Sequence, residues 1–236
     1  MLIDATQAIR RAWILLKYDS ETTINKYVDW TLGPTIERQT TTTVTECRPC
    51  ARALSVVAHL SFFDGIGVAS EALRRVSDNV LMTLSWETNP QCAKFTHDRF
   101  GSVQMGDVAN FDRVVSCIEQ HVGQRQFIVL VTAGPPCPDF SRMKTSPKGA
   151  QGDSGWMFQH MIDIDYNLRL RFQGRPFETI IENVVPHPSL RDHLLDLTKP
   201  LCTQPILIDA ADSRLAHRKR LWWTSIDWTD VEDKLA

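Results

Sequence analysis

The chain has 236 residues, 43% of them hydrophobic and 23% charged, and a formal net charge of -2. That length suits one large globular domain or two small ones. The charge balance excludes nucleic-acid binding through global charge, so any such contact must come from a local basic patch. Six cysteines (47, 50, 92, 117, 137, 202) are scattered, which excludes a dense disulfide framework. With no signal-peptide pattern and no apolar run of membrane-spanning length, the expected location is intracellular and off the membrane.

Residues 4–18 place Ala8, Ile9, Ala12, Trp13, Leu15 and Leu16 at helical spacing, with Arg10, Arg11 and Lys17 interleaved. A helix packed on the main domain accounts for this better than a nucleic-acid or partner helix. Residues 19–46 are polar and threonine-rich and read as linker or weak edge strand. Cys47 and Cys50 form a CxxC, but a structural zinc site needs four ligands and no second pair lies nearby. No thioredoxin-like unit surrounds the pair either. It is assigned no special role, and no metal is expected.

From about residue 55 the pattern becomes alternating strand and helix. Strands are predicted at 56–63, 81–86, 103–105, 127–131, 177–181, 205–208 and 220–225. Helices are predicted at 68–76, 90–100, 111–121, 156–172 and 190–197. This alternation implies βαβ units and an α/β fold with a doubly wound, mostly parallel, seven-stranded sheet. The expected organisation is an N-terminal helix and polar linker (1–55), an α/β core (56–228) and an acidic tail (229–236).

The first predicted strand ends in Asp64-Gly65-Ile66-Gly67. Glycines there let a ligand approach the backbone. Glu87, about 20 residues on, ends the second strand, where an acid can accept hydrogen bonds from ribose hydroxyls. Asp107 ends the third and could meet an adenine amino group. The full G-x-G-x-x-G of a pyrophosphate site is absent, and an acid in the turn is awkward for phosphate. S-adenosylmethionine (SAM), an adenosine with a cationic amino-acid tail, fits such a turn.

The run Phe127-Ile-Val-Leu-Val131 reads as a buried parallel strand. It leads into Gly134-Pro135-Pro136-Cys137, where prolines force the chain off the sheet along a stiff path. A lone cysteine is most often a small buried hydrophobe. Cys137 instead sits among turn formers just past a central strand. Arg142, Lys144 and Lys148 follow within about one loop, and positive charge favours the thiolate. Cys137 is therefore a candidate nucleophile.

Ser61-Phe-Phe-Asp-Gly-Ile-Gly67, Gly134-Pro-Pro-Cys-Pro-Asp-Phe-Ser141, Glu182-Asn-Val184 and His217-Arg-Lys-Arg220 occur in the order seen in the cytosine-5 DNA methyltransferases. The chain resembles that family over roughly residues 57–226. The pairing of Glu182-Asn-Val-Val185 with Ala216-His-Arg-Lys-Arg-Leu-Trp-Trp223 looks most like the animal de novo branch. The resemblance implies a Rossmann-like SAM-dependent methyltransferase fold that methylates C5 of a cytosine flipped out of DNA, in the nucleus if the source is eukaryotic. It implies that Phe63, Asp64, Gly65, Ile66, Gly67, Glu87, Asp107, Val108 and Pro135 hold SAM. Cys137 would be the nucleophile, and Glu182 would hold the N3 edge of the base. Arg218 and Arg220 would steady the active site. Ser141, Arg142, Asn183 and His217 would lie against the substrate, with Asn183 bracing the neighbouring loop. The Lys-, Gly- and Ser-rich segment 142–155 suits a mobile loop that closes over the base.

In the family a target-recognition region begins where this chain turns acidic (Asp227, Asp230, Glu232, Asp233), and a later segment completes the SAM pocket. Neither is visible in these residues. A fragment, a second chain that supplies the missing part, and a shortened homologue all account for this. Two alternatives to a DNA enzyme stay open: methylation of RNA, as in the tRNA-methylating branch, and a regulatory homologue that pairs with a complete enzyme.

Overall fold

A computed structural model describes residues 56–109, 113–210 and 217–225. The predicted N-terminal helix, the linker, the Cys47/Cys50 pair and the acidic tail lie outside these residues. So does the start of the helix predicted at 111–121.

Seven strands form one sheet: β1 (Val56–Phe62), β2 (Val80–Trp86), β3 (Val103–Gln104), β4 (Phe127–Ala133), β5 (Phe177–Val184), β6 (Ile206–Asp209) and β7 (Lys219–Thr224). Their order is β3-β2-β1-β4-β5-β7-β6. All neighbours are parallel except β7, which runs antiparallel between β5 and β6. Connecting helices are α1 (Val68–Val76), α2 (Pro90–Phe100), α3 (Val114–Val122), α4 (Gly155–Arg171) and α5 (Arg191–Thr198). The doubly wound, mostly parallel α/β sheet expected from the alternation is present. The strand order reverses between β1 and β4, and the crevice at their carboxyl ends is where such sheets hold ligands.

β4 is buried along its whole length, which explains its unbroken apolar run. One face of the sheet packs Leu60, Phe62, Val129, Val131, Ile181 and Trp223 beneath Phe158, Ile162 and Leu168 of α4. The other face packs Val57, Ile128, Leu130 and Ile180 beneath Leu73 of α1. At about 25 cal/mol per Å² of buried apolar surface, these two layers are the main stabilising term.

All seven strands differ from expectation at an end, most by one residue, and backbone conformation or pairing explains three of the differences. β1 stops at Phe62 because Phe63 takes a left-handed φ of 54°. β4 continues to Ala133 because Thr132 and Ala133 still pair with Ser61 and Phe62 on one side and Ile180 and Ile181 on the other. β5 continues past Ile181 to Val184 because Asn183 and Val184 pair with Leu221 and Arg220. Polar Glu182 and Asn183 read as a strand end until their antiparallel partner is known.

Candidate active site

The turn after β1 is built on left-handed backbone at Phe63, Gly65 and Gly67. Gly67 opens α1 at a φ of 75°, and a Cβ there would lie 2.6 Å from the Phe100 ring. No other residue fits both conditions. Asp64 sits between the left-handed Phe63 and Gly65. Its carboxylate accepts hydrogen bonds from Ser61 Oγ at 2.5 Å and Ser85 Oγ at 2.7 Å. Burial raises its pKa above the usual range, the two hydroxyls oppose that rise, and nearby Glu87 adds to it.

Glu87, just past β2, accepts from Gly65 N at 2.8 Å and from Asn89 N at 2.7 Å. It therefore ties the glycine turn to the start of α2. Asp107 is exposed and accepts from Ala109 N at 2.8 Å. Ile66 is exposed beside the turn, whereas Val108 is buried in the core. Pro135 is buried at the exit of β4. The residues expected to hold a cofactor thus form one rim along the carboxyl ends of β1, β2 and β3, with Pro135 adjoining from β4.

The cysteine loop is held by backbone contacts. Cys137 O accepts from Phe140 N at 3.0 Å and Ser141 N at 3.1 Å. Ser141 forms an isolated bridge with Pro186, and Phe140 O accepts from His187 N at 2.8 Å. Arg142 Nε donates to Pro186 O at 3.0 Å. These contacts fasten the loop after β4 to the segment after β5.

Glu182 and Arg220 meet over the same crevice. Arg220 stands diagonally across the β5–β7 pair from Glu182, and its Nε lies 2.6 Å from Glu182 Oε1. A Cβ on Gly134, three residues before the cysteine, would lie 3.7 Å from Glu182 Oε2. Burial raises the Glu182 pKa, while Arg220 and Arg218 pull it down. Cys137 is half-buried, and that burial raises its thiol pKa above the ordinary value. Arg220 is the largest opposing charge; Glu182 raises the pKa further, and Arg218 lowers it.

Two expectations are corrected here. The cations acting on the thiol are Arg220 and Arg218, which arrive on β7. Arg142 is engaged by Pro186, and Lys144 by Asp139. Asn183 does not lie against the substrate crevice: its Oδ1 accepts from Val184 N at 2.8 Å, and the residue is fully buried. Adjacent strand residues face opposite ways, so Asn183 points away from the crevice into which Glu182 points. Segment 142–155 is anchored at its base, because buried Asp139 accepts from Lys144 Nζ, Ser154 N and Ser154 Oγ. Gly152 is required by the same clasp, since a Cβ there would lie 2.1 Å from Asp139 Cγ.

His217 is exposed and pairs through Nδ1 with Asp209 Oδ2 at 3.1 Å, while Arg218 N donates to Asp209 Oδ1 at 2.8 Å. Asp209, at the end of β6, thereby sets where the basic strand begins. Sequence reasoning left Asp209, Asp139, Ser61 and Ser85 without a role. A signal existed for the two serines: each interrupts an apolar strand just before the carboxyl edge.

Residues 57–185, more than half of the chain, match the family model for C-5 cytosine-specific DNA methylases. The chain belongs to that family. Among solved structures, the Entamoeba histolytica methyltransferase EhMeth is similar at 18% identity and a TM-score of 0.51, over 72% of this chain and 52% of that one. The S. pombe Dnmt2 methyltransferase matches at 13% identity and a TM-score of 0.43, over 71% and 48%. A SAM-dependent methyltransferase from Agrobacterium tumefaciens matches at 13% identity and a TM-score of 0.40, over 71% and 56%. The chain thus spans about half the length of these structures. The fold is the Rossmann-like methyltransferase fold, and the family's activity is cytosine-5 methyl transfer.

Proposed function

We propose that this protein methylates C5 of cytosine in DNA, with Cys137 as nucleophile, Glu182 on the base and SAM as methyl donor. The observation that carries the reading is the convergence of Cys137, Glu182 and Arg220 from three elements on one crevice.

The acidic rim fits SAM by its chemistry. Asp64 offers a carboxylate to an ammonium group and repels phosphate, and the glycine turn leaves room for close approach. Glu87 and Asp107 offer acceptors for ribose hydroxyls and an adenine amino group. Phe63 and Ile66 supply the apolar lining, with buried Val108 and Pro135 packed behind it. When bound, SAM supplies the methyl group that C5 acquires.

Cytosine C5 is a poor nucleophile. Addition of the Cys137 thiolate at C6 breaks the C5–C6 double bond and moves its electrons toward C5. A protonated Glu182 at N3 takes up the charge that the addition generates, and burial raises its pKa toward that role. Arg220 favours the thiolate before addition and steadies the Glu182 carboxylate when its proton has left. Once that electron pair has bonded C5 to the methyl group, with S-adenosylhomocysteine as the leaving group, loss of the C5 proton to solvent expels the thiolate and restores the ring. A half-buried thiol cannot reach C6 inside a stacked duplex, so the base must leave the stack.

The test is covalent trapping. The chain is mixed with SAM and duplex DNA bearing 5-fluorocytosine, and adducts resistant to denaturation are mapped by peptide mass. Fluorine cannot leave C5 as a proton does, so a working enzyme stalls attached at Cys137. An adduct with a tRNA substrate alone would overturn the DNA reading in favour of RNA. SAM binding without any adduct would mean that these 236 residues are an incomplete or partner-dependent core.

A further inference from the structure

A polar seam crosses the sheet beneath the acidic turn. Register places Ser85, Ser61 and Thr132 in one row across β2, β1 and β4, with His59 opposite Thr83 on the same face. All five are buried. Thr83 Oγ1 lies 3.3 Å from His59 Nδ1, and His59 Nε2 lies 2.9 Å from Thr132 Oγ1. Thr132 Oγ1 lies 3.3 Å from Ser61 Oγ, and Ser61 Oγ lies 2.5 Å from Asp64 Oδ1. Ser85 Oγ meets the second Asp64 oxygen at 2.7 Å.

The directions of these bonds follow from their end. A carboxylate only accepts, so Ser61 must donate its single proton to Asp64. Thr132 must then donate to Ser61, and His59 Nε2–H must donate to Thr132. Nδ1 is left as acceptor for Thr83. Burial pushes the His59 pKa down to about 3, which keeps the ring neutral with one donor and one acceptor. Every proton in the seam therefore points toward Asp64, and bonds in such a chain polarise one another. Val57 and Leu130 show that apolar side chains fill this face well. The polar residues are gathered on one carboxylate instead.

We propose that His59, Thr132, Ser61 and Ser85 are positioning residues that hold the Asp64 carboxylate in one orientation for the ammonium of the methyl donor's amino-acid tail. This rests on the reading of residues 63–67 as the cofactor turn. A carboxylate fixed before binding loses less freedom when the cation arrives. The seam also spans β1 and β4, so the donor turn and the strand feeding the cysteine loop share one network.

The test uses two neutral thioethers that differ in the amino-acid tail: S-adenosylhomocysteine, which carries it, and 5′-methylthioadenosine, which does not. Calorimetry on the whole chain should show that Ser61→Ala weakens S-adenosylhomocysteine by roughly tenfold, as loss of a hydrogen bond to a charged group does, and that Ser61→Ala/Ser85→Ala weakens it further. Methylthioadenosine affinity should not move, and Ser61→Thr should restore the loss. Nitrogen NMR of His59 should report the Nε2–H tautomer in the wild type. Parallel loss of both ligands, no loss of either, or an Nδ1–H tautomer would overturn the positioning role. Wild-type protein that binds neither SAM nor S-adenosylhomocysteine would overturn the cofactor-turn reading itself. Wild-type binding with unmoved variants sinks only the seam.

Discussion

Arg220→Ala is the most informative single change in the crevice, because Arg220 acts on both Glu182 and Cys137. Its Nε lies 2.6 Å from Glu182 Oε1, with 22% and 24% of the two side chains exposed. Unit charges about 4 Å apart interact by about 4 kcal/mol at an effective dielectric of 20. The wild type offsets part of this by desolvating both ions, and water can enter a crevice that is still open. The expected net loss is about 1–3 kcal/mol at neutral pH. The sign of its pH dependence follows from the direction of the shift. Burial holds the folded Glu182 pKa above its ordinary 4.5, so the folded state binds more protons than the unfolded state. Stability then falls as pH rises through that region, and it falls further in the variant, where the opposing Arg220 charge is gone. The gap between wild type and variant should be small at acid pH, where Glu182 is protonated in both, and full at neutral pH. Urea unfolding of both proteins across pH 4 to 8 measures it. A gap that stays constant over that range would refute the argument, because the loss would then be packing around the Arg220 stem and not its charge.

Three further outcomes test the site. Cys137 alkylation, followed peptide by peptide to separate it from Cys47, Cys50, Cys92, Cys117 and Cys202, should titrate above the ordinary thiol value of 9.0. Arg220→Ala should slow it at fixed pH and Glu182→Gln should speed it, since those charges act in opposite directions on the thiol. Gly152→Ala forces a Cβ into the Asp139 carboxylate and should cost about 1–3 kcal/mol by overpacking, read as a lower melting temperature. Cys137→Ala should reduce methyl transfer to background and leave SAM affinity unchanged; equal loss of both would make the cysteine structural.

What could be read from the chain and what could not divides along one line, between local pattern and distant partner. The helix bounds at 68–76 and 90–100 were legible because a glycine turn in one case and an Asn89 cap in the other announce the start. The central position of Cys137 was legible because a strand buried on both faces must be continuously apolar. The end of β5 was not legible: Glu182 and Asn183 look like the departure of a strand, and only β7, arriving some forty residues later, keeps them in the sheet. The same gap misled the reading of charge. Arg142 and Lys144 are near Cys137 in sequence, yet Pro186 and Asp139 take them, and the thiol feels Arg220 instead. Segment 142–155 has a mobile loop's composition, but one buried acid gathers its two ends. Composition reports what a segment can do when left alone. In this crevice Glu182 is held by Arg220 from another strand and the same arginine acts on Cys137, so the chemistry of Cys137 depends on β7 as much as on its own loop.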